Sequence, residues 1–123
     1  MRESEFQRAI EVALNRPGRS TRAWRQNAGR LRVVDRSGAR WVMGAPIGAA
    51  DLSGLVRPEG WRLEVEVKTG TKLRPQQRKW KKFIESFGGI YVLCSYNKKL
   101  SAEENVLVAI QSIDQAVAER REQ

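Results

Sequence analysis

Asp51, Glu66 and Lys68 are the residues whose types and spacing can do chemistry. In an extended strand, residues two apart share a face, so Glu64, Glu66 and Lys68 point one way and Leu63, Val65 and Val67 the other, into a core. Three charges in a row on the inner strand of a small domain are costly unless water, a metal or an anion meets them. Glu66 and Lys68 fall roughly 6.6–6.8 Å apart along the strand, close enough for long side chains to converge. Asp51 lies on the neighbouring strand or just before it, so its carboxylate can approach Glu66 across a hairpin. Two carboxylates at that distance repel and suit a hard cation such as Mg²⁺, held with water and phosphate oxygens. A lysine beside them can orient or deprotonate a water, or neutralise charge growing on a phosphate. A lone Glu-x-Lys on a strand is usually a solvated surface pair. Asp51 upstream, glycine before it and Gln77 after it favour a catalytic set. Glu64 is expected to be an exposed or rim residue.

The composition narrows the chemistry. Histidine is absent, which excludes Ser-His-Asp triads, Cys-His pairs and imidazole metal sites. The single cysteine, Cys94, excludes an internal disulfide and Cys-rich zinc sites, and is expected to be packing. A net charge of +9 and a pI near 10.4 point to a polyanionic partner. At 123 residues, with 41% apolar and 30% charged side chains, residues 1–123 read as one globular domain. No apolar run approaches the ~18–20 residues of a membrane span. The opening Met-Arg-Glu-Ser-Glu lacks the apolar stretch of a signal peptide, so the chain reads as cytoplasmic.

These residues need elements to position them. Residues 3–15 have the apolar spacing of an amphipathic helix (Phe6, Ala9, Ile10, Ala13, Leu14), stopped by Pro17-Gly18. Residues 31–35 and 40–43 read as a hairpin around Ser37-Gly38, followed by the glycine-rich approach 44–50. A second hairpin joins 52–56 to 61–68 through Arg57-Pro-Glu-Gly60. Residues 75–87 form a helix with Trp80, Phe83, Ile84 and Phe87 on one face, and 90–96 a buried strand. A further strand is expected over 105–110, with Ser112 capping a closing helix through Arg121. The predicted order is α-β-β-β-β-α-β-β-α, an α/β fold with a sheet flanked by helices. The four tryptophans are expected in core or interface.

Asp51 followed by Glu66-x-Lys68 resembles the motif of PD-(D/E)XK nucleases. Trp24-Arg-Gln-Asn-Ala-Gly29, Gly48-Ala-Ala-Asp-Leu-Ser-Gly54, Leu63-Glu-Val-Glu-Val-Lys68, Leu73-Arg-Pro-Gln-Gln77 and Gly88-Gly-Ile-Tyr-Val92 occur in the order seen in VRR-NUC domains. The likeness covers about residues 3–96 and is to the stand-alone, phage-type members. It implies a restriction-endonuclease-like core with a central mixed sheet. It also implies that Asp51, Glu66 and the Val67 carbonyl hold Mg²⁺ or Mn²⁺, with Lys68 the catalytic lysine and Gln77 the glutamine of the following helix. An N-terminal glutamate completes the family's set. Glu3 and Glu5 both offer themselves, and Glu3 lies nearer the apolar stripe. Ala50 departs from the family's usual proline before the aspartate.

The function implied is that of a metal-dependent DNA endonuclease, structure-selective for branched DNA such as a Holliday junction, leaving 3′-OH and 5′-phosphate ends. The resemblance places it inside a bacterial cell or phage-infected cell, as a homodimer through the 31–43 hairpin or the 90–96 region. From Arg16 to Arg40 the chain has eight arginines and one acid, a candidate phosphate-contacting stretch. Arg22, Arg25, Asn27 and Arg30 are its expected DNA contacts, and Lys72, Arg74, Arg78, Lys79, Lys81 and Lys82 form a second basic patch around the helix after the site. The competing reading is a non-catalytic basic module that binds DNA or RNA.

Overall fold

The computed structural model describes residues 1–27 and 29–123, apart from the side chains of Arg30 and Leu31. Its elements run α1 (Glu3–Leu14), β1 (Thr21–Arg25), β2 (Arg30–Asp35), β3 (Gly38–Met43), β4 (Leu52–Val56), β5 (Trp61–Lys68), α2 (Pro75–Ser86), β6 (Ile90–Ser95) and α3 (Ala102–Arg121). The main sheet has the order β1-β4-β5-β6, with β2 and β3 paired as a separate ribbon. β1–β4 and β4–β5 pair antiparallel, and β5–β6 parallel, with α2 as the crossover. The fold is α/β, a mixed sheet flanked by helices.

Register sorts the side chains. Leu52 faces Val65, which faces Val92; Leu63 faces Ile90, and Val67 faces Cys94. These residues, with Val56, make the buried face on which α1 and α3 pack. α1 contributes Phe6, Ile10 and Leu14, and α3 contributes Ala109, Ile113 and Val117, each set recurring at helical spacing. The opposite sheet face carries Ser53, Glu64, Tyr91 and Glu66, all buried, and α2 lies on it. β5 keeps the apolar–charged alternation of its sequence although both of its faces are buried.

β1 sits at the sheet edge, and Asn15 completes its pairing. The Asn15 side chain donates to the Ala23 carbonyl at 2.7 Å and accepts from the Ala23 amide at 2.8 Å. The Thr21 hydroxyl donates to the Leu14 carbonyl at 2.8 Å, fastening the end of α1 to the strand.

Two expectations are corrected here. Residues 105–110 are helix, not strand, because the cap falls at Ser101 rather than Ser112. Ser101 accepts from the Glu104 amide and Glu104 accepts from the Ser101 amide, both at 3.1 Å, a reciprocal cap that starts the helix eleven residues before Ser112. The second correction is β1, an additional strand inside the arginine-rich stretch. On α2 only Ile84 is buried, whereas Phe83 and Phe87 are exposed.

Candidate active site

Asp51 stands at the entrance to β4, and the preceding loop determines its position. Gly48 has φ +91°, and a Cβ there would meet the Gln76 carbonyl oxygen at 2.5 Å. The approach loop thus packs directly on the first turn of α2, at a spacing only glycine allows. Ala49 and Ala50 follow, buried. The Gln26 amide donates to the Asp51 carbonyl at 3.0 Å and its side chain to the Ala50 carbonyl at 2.9 Å. So held, Asp51 Oδ2 accepts from the Val67 amide at 2.8 Å. The aspartate is delivered between Glu66 and Lys68.

Gln77 positions Glu66. Its Oε1 accepts from the Arg74 amide at 2.8 Å, capping α2, while its Nε2 donates to Glu66 Oε1 at 3.0 Å. Its role in orienting the glutamate follows from ordinary capping geometry. Glu66 Oε2 is buried without a hydrogen-bond partner among the described residues.

The electrostatics agree with the geometry. Burial, then the charge of Asp51, pushes the Glu66 carboxyl up to about 8, with Lys68 opposing. Asp51 is also raised, chiefly by burial, against the Val67 amide that favours its ionised form. The charge of Glu3 raises both groups, which puts Glu3 on the site's side of α1. Glu5 instead pairs with Arg2 at 3.5 Å.

Glu64 corrects the expectation of a rim residue: it is 0% exposed. Its carboxylate accepts from Trp80 Nε1 at 2.6 Å, from Gln26 Nε2 at 3.1 Å and from Arg62 Nε at 3.2 Å. It joins β5, α2 and the approach to Asp51 into one network. Sequence reasoning missed Gln26 and Tyr91. Tyr91 lies opposite Glu64 in register, with its hydroxyl buried and unpartnered among the described residues. Burial and then the charges of Glu66, Asp51 and Glu64 hold that hydroxyl strongly protonated.

The basic candidates divide by position. Arg25 pairs with Leu52, at the Asp51 end of β1, but Arg22 pairs with Leu55, three residues farther off, and donates to the Thr21 carbonyl. Asn27 is exposed in the loop after β1, and the Arg30 side chain lies outside the described residues. Lys72 and Arg78, with Lys81 and Lys82, line a cleft of about 500 Å³ beside α2. Arg74 and Lys79 are exposed on the first two turns of that helix or just before it. Of the tryptophans expected in core or interface, Trp24 and Trp41 lie outside the core at 47% and 61% exposed, whereas Trp61 packs on the core under Arg120. Cys94 is buried, and burial pushes its thiol up to about 12.

Among the described residues no group of three or more Asp, Glu, Cys or His side chains stands together as a ready metal site. The donor set still fits a divalent cation in one respect. Two carboxyls share a confined space, one with an unpartnered oxygen, and Mg²⁺ commonly takes only one or two carboxylates from the protein. No helix among the described residues is long and apolar enough to cross a membrane. No family model, curated protein or solved structure matches the chain.

Proposed function

We propose that this chain is a metal-dependent endodeoxyribonuclease of VRR-NUC type, acting on branched DNA as a homodimer. The observation that carries the reading is the seating of Asp51 on the Val67 amide, between Glu66 and Lys68 along β5, with Gln77 bonded to Glu66. Asp51 and Glu66, with the Val67 carbonyl and Glu3 nearby, would hold Mg²⁺ or Mn²⁺. Bound there, the ion would supply Lewis-acid stabilisation of phosphate charge and a more acidic water. Lys68 orients the attacking water or offsets charge on the phosphate, and Gln77 keeps Glu66 aimed at the site. The basic cleft beside α2 would take the phosphate backbone. The exposed β2–β3 ribbon, with Val34, Trp41 and Met43 on its surface, is the better of the two interface candidates, because β6 is largely buried.

The test is cleavage of a panel of linear, flapped and four-way DNAs with Mg²⁺ or Mn²⁺. Wild-type protein is expected to cut a branched substrate, and Lys68→Ala, Asp51→Asn and Glu66→Gln to bind it but leave it whole. Cleavage that persists in all three variants would overturn the site. Binding without cleavage by any protein, at any metal, would favour the non-catalytic basic module.

A further inference from the structure

α2 has two flanks, and the proposed nuclease chemistry uses only one. Arg78, Lys81, Lys82 and Glu85 face the cationic cleft. On the other flank Gln76, Lys79, Trp80 and Phe83 line a groove of about 320 Å³, closed on its far side by Ile47 of the loop that leads to Asp51. Along this flank the rings form a continuous series. Trp80 stacks on Phe83 with centroids 5.3 Å apart and planes 25° from parallel, and Phe83 meets Phe87 at 5.0 Å. Phe83 is 50% and Phe87 80% exposed, although both are large apolar side chains on a helix that could have turned them inward. The first ring is fixed from below, since the buried Glu64 carboxylate accepts the Trp80 N–H at 2.6 Å.

We propose that this flank is a stacking platform for unpaired nucleotide bases, so that the preferred DNA carries a single-stranded segment beside the position that is cut. Phe83 and Phe87, backed by the anchored Trp80, keep ring surface open to solvent, and such surface suits bases, whose faces stack on any aromatic without regard to sequence. Lys79 on the same flank can meet a backbone phosphate beside the stacked bases. A second copy of this chain fits less well. Arg78, Lys79, Lys81 and Lys82 share the helix with the rings, so a two-fold contact here would bring like charges of a +9 protein together. Lysine is also depleted in protein interfaces. The platform lies beside the candidate active site because Gly48, next to Ile47, rests on Gln76, next to Gln77.

The proposal rests on the reading of the chain as a DNA-acting protein, but its test needs no cleavage. Binding of a fluorescein-labelled oligothymidylate and of a blunt duplex of equal length is compared in EDTA by anisotropy. Phe83→Ala and Phe87→Ala alter exposed rings, so the fold is expected to survive. Each should weaken single-strand binding about tenfold, the scale of one stacked base, with duplex binding changed less than twofold or so. Phe83→Tyr and Phe87→Tyr should bind as wild type, whereas Phe83→Leu and Phe87→Leu should not. Equal single-strand affinity in wild type and alanine variants would overturn the platform, as would full binding by the leucine variants. Light scattering distinguishes the other occupant: a two-chain wild type that becomes one-chain in the Phe83→Ala, Phe87→Ala double variant, with single-strand binding intact, would make this flank an interface between copies. Nuclease activity that fails to appear would leave these outcomes unaffected.

Discussion

At Glu66, burial and a neighbouring carboxylate act in one direction. The carboxyl titrates near 8 in the folded chain against 4.5 for the free side chain, burial being the larger cause and Asp51 the second. A raised carboxyl means that the folded state binds the proton more tightly than the unfolded state. The stability this contributes is full below about pH 4.5 and is lost as pH rises through about 8. Metal-free protein is therefore expected to unfold at progressively lower urea as pH rises across that window. Glu66→Gln, which cannot ionise, should flatten the dependence and exceed wild type in urea midpoint at the alkaline end. Mg²⁺ should then stabilise wild type above neutrality, by binding the folded form alone, and leave Glu66→Gln unmoved. Parallel pH profiles for the two proteins would show that Asp51 and Glu66 do not share their confined space as described. Asp51, Glu66 and Lys68 were legible as a group because strand alternation and hairpin proximity are written in the sequence. Tyr91 was not, because its place opposite Glu64 depends on a parallel register that no local pattern encodes.

The elements differ in how plainly their sequences announce them. The β4–β5 hairpin is bounded by alternation and by a turn rich in proline and glycine, so its limits could be read directly. β1 was hidden because its arginines look like a solvated run, while only Thr21 and Ala23 face inward, and the strand is completed by Asn15 from the neighbouring helix end. Glu64 was misjudged for a related reason: alternation identifies a face but does not say whether a helix will cover it. The outcome for Glu64 changes accordingly. A carboxylate with 0% exposure and three donors is a structural joint, and its loss leaves the Trp80 N–H without its acceptor and Gln26 with the Ala50 carbonyl alone. Glu64→Ala is expected to lower stability by about 2 kcal/mol or more, read from chemical denaturation, and to loosen Trp80 as seen in its fluorescence. Gly54 makes the complementary case on β4. A Cβ there would sit 2.0 Å from the Arg22 carbonyl oxygen, so Gly54→Ala should separate β1 from β4 and expose the β1 amides to hydrogen exchange. A Glu64→Ala protein of wild-type stability would contradict the dry network, and unchanged exchange in Gly54→Ala would contradict the close approach of the strands.

Over the whole molecule, what matters is how the +9 charge is distributed. Composition gave the sign and size of that charge but could not say which cations converge, since convergence depends on how α2 crosses from β5 to β6. In the fold, Lys72, Arg78, Lys81 and Lys82 meet around one cleft with a single acid, Glu85. Two arginines of the earlier stretch are instead engaged by carboxylates, Arg19 with Asp114 at 2.6 Å and Arg40 with Asp35, and Arg22 lies toward the end of β1 away from Asp51. An arginine already paired with a carboxylate neutralises a phosphate less effectively than an unpaired lysine, so the two basic regions should contribute unequally to DNA affinity. Duplex DNA releases counterions in proportion to the phosphates contacted, at about −0.9 in the slope of log K against log salt for each. Replacing Lys72, Arg78 and Lys82 together with alanine is expected to flatten the slope by as much as about 2.7, and Arg22→Ala to leave it within error. Because Arg25 lies at the Asp51 end of β1, Arg25→Ala should flatten the slope by about one contact, placing the DNA path across that end of the sheet. The measurement is a salt titration of duplex affinity in EDTA, where no cleavage intrudes. A slope that responds to Arg22 but not to the three cleft residues would move the DNA to the opposite end of β1, away from Asp51 and Glu66.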